Sequence, residues 1–130
     1  MLFRSVNMQN LTITQYNKGP SYFENVLGPM ESFLEESAPS IAMLSEANYD
    51  DNLPLNIDKT CFPQLSQYNI EGSLIQPGSS FIRSRTVSLI RKELKYIRRT
   101  DLEVQGLQTV IIELSVSKFK KIFVIGWYRQ

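Results

Sequence analysis

Apolar residues in the first third of the chain form two short β-rich runs with a helical stripe between them. Residues 11–16 (Leu-Thr-Ile-Thr-Gln-Tyr) alternate aliphatic and polar positions and are rich in β-branched side chains, which predicts a strand. Asn17-Lys18-Gly19-Pro20-Ser21 is a turn, and Pro20 or Ser21 can open a helix. Phe23, Val26, Leu27, Met30, Phe33 and Leu34 then recur at helical spacing along one face. Gly28-Pro29 interrupts that stripe. A proline in a helix interior costs about 3 kcal/mol, so the sequence predicts a kink, or two short helices with Pro29 opening the second. Ser37-Ala38-Pro39 leads into a second strand over residues 40–45. Strand, helix and strand in this order predict a βαβ unit with a parallel strand pair.

Between residues 47 and 80 the periodicity fades. Pro54, Pro63 and Pro77, with many Asn and Asp, mark a long loop in which only Tyr68-Asn69-Ile70 reads as a short strand. Strands are predicted again at 85–91, 95–99, 109–116 and 121–128, with 117–120 as a hairpin loop. The first ten residues read as a leader, and residues 11–130 as one α/β unit: a βαβ start followed by antiparallel strands. Three apolar runs end abruptly in a polar residue, namely Asn17, Glu46 and Tyr128. If their strands lie parallel in one sheet, these residues cluster at its carboxyl edge, where α/β folds place their sites.

Composition sets outer bounds. The chain has 130 residues, 42% of them hydrophobic and 21% charged, enough for one packed domain. Its single cysteine, Cys61, excludes an intramolecular disulfide and a cysteine-only zinc cluster, and fits a reducing intracellular compartment, the nucleus included. No run approaches the roughly 20 apolar residues of a membrane span. The chain has no histidine, which removes the commonest general base near neutral pH.

Net charge is +1, but its distribution is uneven. Arg83, Arg85, Arg91, Lys92, Lys95, Arg98 and Arg99, half of the chain's 14 basic residues, fall between 83 and 99 against one acid, Glu93. Such a stripe, with Phe81 and Tyr96 nearby, suits a phosphate backbone, and it equally suits solvated strand faces that protect sheet edges. The Asn17, Glu46 and Tyr128 triplet suits a hard cation meeting phosphate, since magnesium takes one or two carboxylates together with carbonyl oxygens and water. The plain reading is a solvated loop glutamate and a turn-forming asparagine. Asp50-Asp51 reads as a turn, Cys61 as a packed thiol, and Trp127 as core or sandwich edge.

The strand ending in Asn17, the amphipathic helix and Pro39-Ser40-Ile41-Ala42-Met43-Leu44-Ser45-Glu46 together resemble the start of the endonuclease/exonuclease/phosphatase superfamily. Residues 83–92, 98–103 and 126–130 (Gly-Trp-Tyr-Arg-Gln) look like its non-LTR retrotransposon endonuclease branch. The resemblance implies a two-sheet sandwich flanked by helices. It also implies a Mg2+- or Mn2+-dependent phosphodiesterase acting on DNA. By this resemblance Asn17 and Glu46 belong to the metal and phosphate site, and Tyr128 lines it. Arg83, Arg85, Arg91, Lys92, Arg98 and Arg99 would contact nucleic acid. The family's later Asp-x-Asn, Asp and Ser-Asp-His motifs have no counterpart here. The expectation is therefore the amino-terminal part of such a domain, inactive alone. The alternatives are a half-domain that binds nucleic acid or protein without catalysis, or a remnant without function. Apolar faces left open on 109–116 and 121–128 would allow self-association through the last strand.

Overall fold

The structure is a computed structural model that describes residues 3–8, 11–75, 83–104 and 107–128, the first stretch by its backbone alone. Its strands are β1 (Phe3–Met8), β2 (Leu11–Asn17), β3 (Ile41–Tyr49), β4 (Tyr68–Gly72), β5 (Ser84–Arg91), β6 (Tyr96–Arg98), β7 (Gln108–Ser117) and β8 (Lys120–Tyr128), with one α-helix, α1 (Leu27–Ser37). They form a five-stranded sheet in the order β1-β2-β3-β5-β4 and a three-stranded sheet in the order β6-β7-β8. The architecture is the expected α/β two-sheet sandwich, with one mixed sheet and one antiparallel sheet.

The parallel pair is present. Ile13 lies opposite Ile41, and Asn17 opposite Ser45. Between these strands the chain forms a 3-10 turn at Phe23–Asn25 and then α1. Pro29 is the third residue of α1, in the first turn, where no intrahelical acceptor awaits its missing N–H. The helix opens at Leu27 rather than at Pro29. Ala38 closes it in the left-handed conformation (φ 42°), its N–H donating to the Leu34 carbonyl at 2.8 Å. Met30, Phe33 and Leu34 pack on the outer face of the large sheet against Tyr16, Leu44, Val87 and Leu89. Phe33 stacks on Tyr16 at 4.2 Å between centroids. Glu31 holds the long loop to this helix, its carboxylate accepting from the N–H of Gln64 and of Leu65, both at 2.8 Å.

Three features differ from the sequence reading. Phe3–Met8, read as leader, pairs antiparallel with β2 and covers its outer edge; pairing of this kind is tertiary and leaves little pattern in six residues. β3 does not stop at Ser45 but runs to Tyr49 through a bulge, so Glu46 lies inside a strand. Tyr128 belongs to the other sheet. The hairpin through Lys118-Phe119 fixes β8 beside β7, so the strands ending near Asn17, Glu46 and Tyr128 do not share one sheet.

Between the sheets, Ile41, Ile90, Val110, Ile112, Leu114 and Val124 form an apolar core flanked by Leu11, Ile13 and Met43. Toward the carboxyl ends of β2 and β3 this layer turns polar, with Ser45, Thr86 and Ser88 on the large sheet. Gly126 brings the two sheets into close approach there. A Cβ on it would meet the Thr86 methyl at 3.2 Å and Met43 at 3.5 Å, so a side chain would push the sheets apart. Residues 109–116, expected to leave an open apolar face, are instead buried through Leu114, β7 being buried from Gln108 to Leu114; the apolar exposure on this hairpin lies on Phe123, Ile125 and Trp127 of β8 and on Phe119. No described helix is long and apolar enough to cross a membrane.

Candidate functional site

The bulge in β3 organises the polar end of the sandwich. Pairing with β5 slips between Ser45 and Tyr49, and Glu46 (φ 52°) and Asn48 (φ 46°) take the left-handed conformation. A non-glycine residue held there costs on the order of 1–3 kcal/mol and persists only when its surroundings impose it. Asn48 supplies that constraint. Its Nδ2 donates to the Pro20 carbonyl at 2.9 Å, its Oδ1 accepts from Arg85 Nη1 at 3.0 Å, and its own carbonyl accepts from Arg83 Nη1 at 3.2 Å. One side chain thus ties the bulge to the loop after β2 and to β5.

Arg85 extends the network to the second sheet. Its Nη2 donates to the Tyr128 hydroxyl at 3.1 Å, and its guanidinium lies 4.9 Å from the centre of that ring. Its backbone N–H donates to Gln108 Oε1 at 2.6 Å, and Ser73 Oγ donates to the same oxygen at 2.8 Å. Lys18 is a further cation of this corner, beside Arg85 and Arg83. It is 8% exposed, and its ammonium donates to the carbonyls of Gly19 and Ser21. Burial lowers its pKa, opposed by the nearby Glu46 carboxylate and reinforced by Arg85. Asn17 Oδ1 accepts from the Gly19 N–H at 2.9 Å.

Asn17 and Glu46 therefore lie on adjacent parallel strands, since Asn17 pairs with the residue before Glu46. Tyr128 reaches the same end of the sandwich from the opposite sheet, through Arg85. Lys18 and Asn48 were not anticipated. Lys18 reads as part of a turn, and only the tolerance of asparagine for left-handed backbone hints at Asn48.

The basic residues at 83–99 do not form one track. Arg83 and Arg85 are at the site end of β5, while Arg91 and Lys92 are at its other end, roughly 20–30 Å away at about 3.3 Å per residue. Arg83 pairs with Glu24 at 2.8 Å. Arg91 bonds Gln67 and the Pro39 carbonyl. Arg98 pairs with Glu71 and Glu103, and Arg99 with Asp101 and Glu113. Lys92 is exposed beside Lys59 and Glu93. Tyr96 donates to Glu71 at 2.7 Å, and Phe81 lies outside the described residues.

A divalent cation fits this corner poorly. Among the described residues no three His, Cys, Asp or Glu side chains gather as metal ligands. Glu46 shares the corner with an ammonium and a guanidinium, and Asn17 Oδ1 already accepts a backbone N–H. Magnesium needs carboxylate and water oxygens in an octahedron, and two fixed positive charges oppose it. The same two charges suit an anion.

No family model and no curated protein matches the sequence. Solved structures do match by fold. The endonuclease domain of TRAS1, a telomere-specific non-LTR retrotransposon, superposes with a TM-score of 0.57 at 13% identity, over 91% of this chain and 45% of that one. Truncated Caenorhabditis elegans TDP2 gives a TM-score of 0.47 at 18% identity, over 83% of this chain and 40% of that one. The chain spans less than half the length of either structure. Taken with the strand order and the parallel β2–β3 pair, the likeness establishes that this chain has the two-sheet endonuclease/exonuclease/phosphatase fold that its sequence resembles.

Proposed function

We propose that the chain is the amino-terminal part of a nuclease-type phosphodiesterase domain, and that on its own residues it engages nucleic-acid phosphate without cleaving it. The observation that carries this reading is the meeting of Asn17, Glu46, Lys18, Arg85 and Tyr128 at one end of a sandwich similar in fold to an endonuclease domain. Arg85 and Lys18 supply the positive charge, and Tyr128 supplies a hydroxyl toward an incoming phosphate oxygen. Glu46, on a strained bulge, fixes the polarity of the corner. Hydrolysis needs in addition an activated water and stabilised charge on the phosphorus oxygens. The chain has no histidine, and the Glu46 carboxylate lies close enough to the Lys18 ammonium to act on its charge. Divalent-metal chemistry, where the intact fold uses it, would draw on residues beyond those of this corner.

The test pairs binding with cleavage. Fluorescence anisotropy with a labelled DNA duplex should show weak binding that falls steeply with added salt, as phosphate contacts require, and that weakens further in Arg85→Ala. Supercoiled plasmid should stay intact with Mg2+ or Mn2+. Metal-dependent nicking that is lost in Glu46→Ala would overturn the non-catalytic reading. Binding indifferent to salt and to Arg85 would overturn the phosphate reading.

A further inference from the structure

We propose that the tip of the β7–β8 hairpin, at the end of the sandwich opposite the Arg85 corner, is a binding site for single-stranded nucleic acid, with Phe119 stacking on an unpaired base and the surrounding lysines holding the neighbouring phosphates. The strands assemble that end. β5 finishes at Arg91 and Lys92 follows it; Lys95 leads into β6, and its carbonyl accepts from the Ser115 N–H at 3.1 Å. Ser115 lies opposite Lys121 and Ser117 opposite Lys120, which leaves Lys118-Phe119 as the turn. Five of the chain's seven lysines, Lys92, Lys95, Lys118, Lys120 and Lys121, are thus exposed at one end. β8 runs from Lys120 to Tyr128, so this end is roughly 25 Å from the corner at about 3.3 Å per residue.

Charge is available here as it is not along the arginines. Arg83, Arg98 and Arg99 are each held by carboxylates, and Arg91 by Gln67, Pro39 and Glu93. Among the described residues the five lysines have one carboxylate partner, Glu113, which meets Lys121 at 3.5 Å and is already paired with Arg99. Glu93, the acid between Lys92 and Lys95, is itself paired with Arg91 at 3.7 Å. An ammonium is a compact point charge without the fork that reads a base edge, so this end attracts a polyanion by its backbone and not by its sequence. Phe119 has no part in the fold. It is 92% exposed and belongs to neither apolar core. Two-residue hairpin turns favour Gly, Asn and Asp, so the turn does not call for an aromatic ring either. The Lys118 ammonium lies over that ring, 5.6 Å from its centre.

Ring and charges together select the occupant. Every base has a π face that stacks on an aromatic side chain, and the phosphates on either side of it need cations. The tip has that arrangement, one ring with Lys118 before it and Lys120 and Lys121 after it. A duplex keeps its bases stacked on one another, so it would engage the lysines and leave Phe119 unused. An anionic bilayer that took up the ring would hold the ammonium at its headgroups, breaking the cation–ring contact that a base stacked on the other face of the ring preserves. The tip shares no residue with the corner, so the proposal does not rest on the phosphate reading given above.

Fluorescence anisotropy of the whole chain with a short labelled oligothymidylate, in excess unlabelled duplex to occupy the corner, tests this. Phe119→Ala should weaken binding by about tenfold, the loss of one stacked base, and Phe119→Leu should bind no better, having bulk but no π face. Lys118→Gln together with Lys120→Gln should lower the slope of log affinity against log salt by about 1.4, at roughly 0.7 per single-strand phosphate. Trp127→Phe removes the chain's single tryptophan, and Phe119→Trp in that background should bind as tightly as wild type and lose emission as the base stacks on it. All four positions are exposed, so these variants keep the fold. The proposal is overturned if Phe119→Ala binds as well as wild type, if the duplex displaces the single strand, or if the introduced indole ignores the oligonucleotide. An indole emission that shifts to the blue on phosphatidylserine vesicles, with no response to the oligonucleotide, assigns the tip to a lipid surface and overturns it as well. The corner is read separately, with labelled duplex and Arg85→Ala, so either reading fails without the other.

Discussion

Arg85 on β5 donates to the hydroxyl of Tyr128 on β8 at 3.1 Å, joining the two sheets at the polar end where apolar packing has given way to hydroxyls and amides. A hydrogen bond from a charged donor contributes about 1.5–3 kcal/mol in favourable settings. Tyr128→Phe keeps the ring beneath the guanidinium and removes only the acceptor. It should lower stability by about 1 kcal/mol in urea unfolding, and Arg85→Ala should lower it more, because Asn48 then also loses its donor.

Asn48 is expected to be the most sensitive polar position of the bulge. Asn48→Ala removes the bonds to Pro20 and Arg85 and keeps a Cβ in left-handed backbone. The cost should be about 2–3 kcal/mol, from two lost hydrogen bonds in a half-closed site. Asn48→Gly loses the same bonds but relieves the backbone, and should be the milder change by about 1 kcal/mol. Equal losses in a denaturant series would show that the backbone is not strained there.

Why the bulge escaped the sequence reading while the fold did not follows from where each signal lives. The parallel pair was legible because β2 and β3 are apolar runs separated by a helical stripe, and each of those is a local pattern. The edge placement of Asn17 was legible for the same reason. Glu46 ends an apolar run in sequence but not in space, because the strand continues through two left-handed residues that only tertiary bonds from Pro20, Arg83 and Arg85 impose. The basic stripe was legible as composition and misleading as geometry. Its carboxylate partners, Glu24, Glu71 and Glu113, come from other elements of the chain.

Strain at Glu46 gives a prediction of the same sign. Glu46→Gly should be more stable than Glu46→Ala by about 1 kcal/mol, because glycine enters the left-handed region without the Cβ penalty. If DNA binding weakens in both variants alike, a site feature is being kept at a cost in stability. Thermal melts of the pair decide the first point, and anisotropy the second.

Arg98 and Arg99 should prove structural. Arg98 lies between Glu71 and Glu103, with the Glu103 side chain 7% exposed. Arg98→Ala leaves those carboxylates without their cation, and breaking such a pair costs about 3 kcal/mol. It should therefore shift the unfolding midpoint strongly, with DNA affinity per folded molecule little changed. Arg85→Ala should show the converse weighting. A large affinity loss in Arg98→Ala at unchanged stability would restore the stripe as a binding track.

Alkaline pH should destabilise the β4–β6 contact through Tyr96. Burial first, then its hydrogen bond to Glu71, pushes the phenol from 10.0 up to about 12. The folded state therefore holds this proton after the unfolded chain has released it. Stability from the group is complete below pH 10 and is lost as pH rises from about 10 to about 12, where the unfolded state binds fewer protons. Tyr96→Phe removes the titrating group, so the difference in unfolding free energy between wild type and variant should shrink or reverse across that window. A difference that stays constant from pH 9 to 12 would show that Tyr96 ionises equally in both states, and that its bond to Glu71 does not hold the two sheets together at this edge.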